Sequence, residues 1–128
     1  MKYKWIERRT CRRLKIPGAV ISYSLKKPLF SRKSYGEEFC PVLDLSRAGI
    51  RFQGQRLLDI NSENVVRISI PGERVPLILK GQVRWQAFDF EKYKYQAGIQ
   101  FKPYGENKEE NYPGLMTKII ELEQKFTP

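Results

Sequence analysis

Hydrophobic and polar positions alternate with a period of two along most of this chain and change to a helical period only near its end. Ala19, Ile21, Tyr23 and Leu25 alternate with Val20, Ser22, Ser24 and Lys26, which predicts a half-buried strand with one face in the core. Residues 39–45 read as a second strand and 50–53 as a third, making 46–49 a hairpin connection. Val66, Ile68 and Ile70 alternate with Arg67 and Ser69 and stop at Pro71-Gly72, a turn signal. The longest strand is expected over 75–87. There Leu77, Leu79, Val83 and Trp85 share one face, and the interior Gly81 suggests a bulge or bend. A last strand over 95–101 puts Ala97, Ile99 and Phe101 on one face and Gly98 on the other. Leu115, Ile119, Leu122 and Phe126 then fall at helical spacing, with Met116 and Ile120 widening the stripe.

Short strands separated by Gly/Pro turns must bury one face and protect their edges, so the expected fold is all-β, a small antiparallel barrel or sandwich. We read it as a six-stranded antiparallel small β-barrel of the split-barrel type with a C-terminal α-helix, whose apolar stripe packs on the core. The charged stretch 26–38, with Pro28 and Gly36, is expected to be a loop between the first two strands. The 128 residues suit a single domain. It divides into a basic arm, residues 1–18, and a barrel with its helix, residues 19–128.

Charge changes this picture by marking one segment. The chain carries 24 Lys/Arg against 14 Asp/Glu, a formal net charge of +10. Eleven of those cations and only one acid, Glu7, precede Ser34, so the whole excess lies there and the remainder is balanced. That placement argues for an anionic ligand near the arm rather than a uniformly basic, nucleic-acid-coated surface. With no His and two Cys, a four-ligand structural zinc site and a His-based triad are excluded by count. Residues 1–8 have no apolar stretch of signal-peptide length, and no apolar run approaches a membrane span. We therefore expect a cytoplasmic protein with Cys11 and Cys40 as free thiols.

Two clusters carry candidate chemistry. Arg8-Arg9-Thr10-Cys11-Arg12-Arg13 supplies planar, permanently charged forks suited to phosphates and to the O6/N7 edge of guanine. About thirty residues later comes Asp44-Leu45-Ser46-Arg47-Ala48-Gly49. Asp44 and Ser46 are expected on one side of a strand, where a carboxylate accepts from guanine N–H groups and a hydroxyl adds a contact. Gly49 allows a tight turn and a close ligand approach. No metal cluster, nucleophile with a base, or Gly-Lys phosphate loop accompanies them, which points to binding rather than catalysis.

In order and spacing these elements resemble the PilZ domain family, receptors for the bacterial second messenger cyclic di-GMP. The family pattern is Arg-x-x-x-Arg, a spacer, then Asp/Asn-x-Ser-x-x-Gly. Gly81-Gln82-Val83-Arg84-Trp85 and Ala97-Gly98-Ile99-Gln100-Phe101 resemble the family's later strands, so the likeness extends over residues 7–101. It implies a non-catalytic receptor with no cofactor, binding cyclic di-GMP through Arg8, Arg9, Arg13, Asp44, Ser46 and Gly49 and signalling to a protein partner in motility, biofilm or polysaccharide control. Arg8 with Arg12 also satisfies the first spacing. We prefer Arg9 and Arg13, because Leu14-Lys15-Ile16-Pro17 then occupies the family's entry into the first strand. In that register Arg8 immediately precedes the motif, which in the family accompanies binding of two stacked ligand molecules. The mechanism implied is ordering of the basic arm when the ligand bridges it to the 44–49 turn.

Two other readings remain open at this level. A small-barrel single-stranded nucleic-acid binder would use Tyr3, Trp5, Tyr23 and Tyr35 as stacking platforms. A protein–protein adaptor of the same fold would bind no nucleotide.

Overall fold

The alternating segments become six strands, β1 (Val20–Leu25), β2 (Gly36–Leu45), β3 (Gly49–Gly54), β4 (Glu63–Ser69), β5 (Leu77–Asp89) and β6 (Lys94–Phe101), followed by one helix, α1 (Pro113–Lys125). The structure is a computed structural model and describes residues 5–6, 11–25 and 36–126. The strands form a closed barrel in the order β1-β2-β3-β6-β5-β4, with every neighbouring pair antiparallel. Closure depends on β1 meeting β4, with Val20 opposite Ser69 and Leu25 opposite Asn64, which leaves no long unpaired edge among the described residues.

The inward residues are those the alternation marks. Ile21, Phe52, Val66, Ile68, Leu79, Val83, Ile99 and Phe101 are almost wholly removed from water. The Tyr23 and Phe52 rings stack obliquely with centroids 5.4 Å apart. The helix adds Ile119 and Leu122 to this core, with Leu115, Met116 and Phe126 packed at its margin. Pro113 opens α1 where a missing N–H costs nothing, and Lys125 stands in its last turn where a cation favours the helix dipole.

Four local features differ from the sequence reading. First, β2 starts at Gly36, so residues 36–38 belong to the sheet; the rest of the expected loop, 26–35, lies outside the described residues. Glu37 accounts for this extension, because it accepts from the Tyr23 hydroxyl and, at 2.6 Å, from the Gln55 N–H. Second, the 1–18 segment is not simply an arm. Leu14 and Ile16 are core residues, and Leu14 exchanges two backbone hydrogen bonds with Leu45, at 2.7 and 2.9 Å. Third, the β5 bulge falls between Val83 and Trp85, not at Gly81. Fourth, and as a consequence, Trp85 leaves the inward face that it was expected to share with Val83.

Candidate functional site

The hairpin between β2 and β3 holds the polar motif, and its conformation comes from the motif's own side chains. Ser46 follows the last residue of β2 and caps the turn: its Oγ accepts the N–H of Ala48 at 3.1 Å and of Gly49 at 3.3 Å, while its own N–H reaches the Gly49 carbonyl at 2.9 Å. Ser46 thus lies in the turn and not on the strand with Asp44, but its hydroxyl proton is still available to an acceptor. Gly49 does not use the left-handed backbone region. A Cβ at this position would stand 2.2 Å from the Ile99 carbonyl oxygen, so glycine is required by the close approach of β3 to β6.

Two bulges align the rest of the site. In the β2–β3 ladder the register shifts between Val42 and Asp44, which sets Asp44 beside Arg51. In the β5–β6 ladder the shift between Val83 and Trp85 sets Trp85 beside Gly98. Since Arg51 is itself opposite Gly98, one row crosses four strands on the outer face of the barrel: Asp44, Arg51, Gly98, Trp85. Re-aiming a side chain beside a binding site is a common use of a bulge. The indole lies over Gly98, where a Cβ would meet its Nε1 at 2.1 Å.

This row forms the floor of an open cleft of about 400 Å³ that is also lined by Arg13, Ser46, Gly49 and Gln100. Asp44 is buried; its Oδ2 accepts from Arg51 Nε at 2.7 Å and forms an ion pair with Nη2, also at 2.7 Å. Oδ1 is a second acceptor on the same carboxylate. Four of the six expected site residues, Arg13, Asp44, Ser46 and Gly49, therefore border one cavity; Arg8 and Arg9 lie outside the described residues. Arg12 does not line the cleft and is close enough to Glu123 on α1 to help hold that carboxyl low. A cleft with a guanidinium, an accepting carboxylate, a donating hydroxyl and an indole can take a flat, hydrogen-bonding, anionic ligand. Among the described residues no cluster of His, Cys, Asp or Glu could hold a metal ion, and no helix is long and apolar enough to cross a membrane.

The family model for the PilZ domain matches residues 7–112, which contains every element of this cleft. The chain belongs to the PilZ domain family. That family is one of cyclic di-GMP receptors. Two solved structures share the PilZ fold seen here. The structure of Bacillus subtilis inhibitor of motility (MotI/DgrA) is 16% identical, with a TM-score of 0.60 over 91% of this chain and 49% of that one. The K. pneumonia MrkH–c-di-GMP complex is 14% identical, with a TM-score of 0.60 over 94% of this chain and 53% of that one. The chain thus spans about half the length of either. No curated protein sequence matches it.

Around the PilZ cleft the structure adds residues that sequence reasoning did not assign to it: Arg51, Trp85, Gly98 and Gln100. Gln100 connects outward, since its Oε1 accepts from Arg84 Nε at 2.7 Å, and the Arg84 guanidinium in turn lies 4.9 Å from the Trp5 ring centroid. Lys102 approaches the same ring at 5.6 Å, so two cations lie against an indole that stays partly exposed. Tyr23 is no stacking platform, because it is buried in the barrel. Tyr3 and Tyr35 lie outside the described residues.

Arg47, in the middle of the motif, turns away from the cleft toward α1. Its Nε and Nη2 donate to Glu123 Oε1 and Oε2, each at 2.8 Å. This fork holds the Glu123 carboxyl below its ordinary value, against the opposing effect of burial. Burial pushes the Cys40 thiol up to about 12 and raises the Tyr104 phenol as well. Tyr104 donates to the Arg47 carbonyl at 2.6 Å, and among the described residues Cys11 and Cys40 form no disulfide.

Proposed function

We propose that this chain is a non-catalytic cyclic di-GMP receptor that signals to a protein partner. The observation that carries the reading is the cross-strand row Asp44, Arg51, Gly98, Trp85, with Arg13 and Ser46 at its border. Arg13, with Arg9, binds phosphate and the guanine O6/N7 edge. Asp44 Oδ1 accepts from guanine N–H groups, the Ser46 hydroxyl donates, and the indole of Trp85 supplies a stacking face. The family match and the likeness to MrkH in complex with c-di-GMP support the ligand.

Arg8, next to the preferred motif register, adds a further guanidinium that stacks on a second guanine and offsets its phosphate charge. The receptor thus takes a stacked pair of ligand molecules. Signalling follows from rearrangement of the segment between two seated positions, Ile6 at the core margin and Leu14 inside it, which brackets Arg8 and Arg9. Motility control is the output we favour, given the likeness to an inhibitor of motility; biofilm and polysaccharide control are related outputs.

Calorimetric titration with cyclic di-GMP tests ligand and stoichiometry together. We expect close to two ligands per chain, a ratio falling toward one in Arg8→Ala, and no binding in Arg13→Ala. Tight binding of a single-stranded oligonucleotide at matched salt, without dinucleotide binding, would overturn the receptor reading in favour of a nucleic-acid binder. Partner binding that survives Arg13→Ala without any response to the dinucleotide would favour the adaptor.

A further inference from the structure

The ligand-reading turn has two faces, and only one of them borders the cleft. Asp44, Ser46 and Gly49 line the cavity, whereas Arg47 carries its guanidinium to the far side and closes a bidentate pair with Glu123, 76 residues away on α1. Glu123 is the charged residue on the otherwise apolar buried face of α1, beside Ile119 and Leu122. A fork of two parallel N–H···O bonds fixes direction as well as distance, which a single contact would not. The backbone of the same turn is tied down on that side too. Tyr104 donates to the Arg47 carbonyl at 2.6 Å, and the Phe101 N–H reaches the Ala48 carbonyl at 2.8 Å. The N-terminal motif converges on the same place, with Arg12 in electrostatic reach of Glu123 and Cys11 in reach of Arg47.

We infer that Arg47 and Glu123 are positioning residues through which α1 sets the geometry of the nucleotide-binding turn, so that seating of the helix and ligand affinity are coupled. This rests on the receptor reading for the identity of the ligand. The physical argument is local. Arg47 is one peptide bond from Ser46, whose Oγ must hold the Ala48 and Gly49 N–H groups if its hydroxyl proton is to face the cleft. Pulling Arg47 toward α1 fixes the peptide planes on either side of it. Coupling of this kind is reciprocal: a helix that stabilises the binding-competent turn is itself stabilised by ligand. α1 is thereby an element able to pass the state of the cleft to a partner that contacts the helix.

The test compares the full chain with Glu123→Gln, Arg47→Lys and, as a control on the exposed face of α1, Lys118→Gln. Two quantities are measured for each: cyclic di-GMP affinity by calorimetry, and ligand-free amide hydrogen exchange at Ser46, Ala48 and Gly49. We expect Glu123→Gln to weaken binding roughly 5- to 20-fold and to speed exchange at those three amides. Arg47→Lys, which keeps the charge but loses the fork, is expected to do the same more weakly, and Lys118→Gln to do neither. Ligand should slow exchange in α1 of the unmodified chain and less so in Glu123→Gln. Unchanged exchange at the turn in Glu123→Gln would overturn the inference, as would unchanged affinity accompanied by a lower Tm, the signature of a plain structural strap. If the unmodified chain takes no cyclic di-GMP, the receptor reading fails, and the exchange comparison still decides whether α1 positions the turn. Should Glu123→Gln fail to fold, Arg47→Lys supplies both measurements.

Discussion

The indole of Trp85 rests on the backbone of Gly98, with space for a hydrogen and none for a methyl group: a Cβ on Gly98 would lie 2.1 Å from Nε1 and 2.6 Å from the neighbouring ring carbon. Gly98→Ala must therefore expel the ring from the cleft floor. The expected cost is about 1–3 kcal/mol of stability from the forced shift, read as a lower urea midpoint. Trp85 emission should move to the red, best recorded in a Trp5→Phe background so that a single indole reports. Cyclic di-GMP affinity should fall at least roughly tenfold through lost stacking, worth about 1–3 kcal/mol per base. Retained affinity with a displaced indole would remove Trp85 from the binding site.

Asp44 and Arg51 separate binding from folding. Asp44→Asn leaves a neutral side chain of the same shape facing an Arg51 that is one-third exposed, so stability should drop by no more than about 1 kcal/mol. Loss of the charged acceptor should weaken cyclic di-GMP binding by roughly 10- to 100-fold, the worth of a hydrogen bond to an ionised group. Arg51→Met does the reverse in the unliganded protein. It strands a carboxylate that is 5% exposed, and about 1–3 kcal/mol of stability should be lost. Paired urea titrations and calorimetry on the two variants show whether these effects divide as argued.

How much of this was legible in the sequence follows from what sets each feature. Alternation marks which residues face inward, so the barrel strands and the Ile119/Leu122 face of the helix could be read directly. The spacing of Arg13, Asp44, Ser46 and Gly49 along the chain is itself a signal, and the structure places the four around one cleft. Period-two counting carries Trp85 in phase with Val83, and a single bulge residue reverses that phase. The apolar pattern gives no warning of such a reversal, although a glycine with no inward role, Gly98, was a usable hint that something large lies above it. Arg51, Gln100 and Glu123 depend on register between strands or on contacts across many residues. Nothing local distinguishes them from ordinary surface polar groups.

Alkaline pH should destabilise the fold earlier than its surface charges alone would dictate. Burial raises the Cys40 thiol from an ordinary 9.0 to about 12 and raises the Tyr23 and Tyr104 phenols from an ordinary 10.0, with Glu37 adding to the effect on Tyr23. Each group keeps its proton in the folded state at a pH where the unfolded chain releases it. The stability these groups contribute is therefore complete below pH 9 and declines as pH rises through 9 toward 12. Urea unfolding at pH about 8 and about 10.5 should show the decline, and Cys40→Ala should flatten its first part. An identical decline in that variant would mean that the thiol takes no share.

The acid side isolates the Arg47–Glu123 pair. Bonding to Arg47 comes first, and proximity to Arg12 helps, in holding the Glu123 carboxyl below its ordinary 4.5 against the cost of burial. For a carboxyl depressed in the folded state, the stabilisation is fully present above the unfolded value and is lost as pH falls through the folded one. The unmodified chain should thus exceed Glu123→Gln in stability at pH 7, by about 1 kcal/mol given that Arg47 is 41% exposed. The difference should narrow below pH 4.5 and close once Glu123 is protonated, since the two side chains are then both neutral. Salt discriminates further: an exposed pair would be screened away by 0.5 M sodium chloride, on the order of five times the ionic strength at which the Debye length is about 10 Å. With Arg47 41% exposed and Glu123 only 9%, the advantage should shrink there without vanishing. A pH-independent difference between the two proteins would show that Gln at 123 disturbs the packing of α1 and that the charge pair itself contributes nothing.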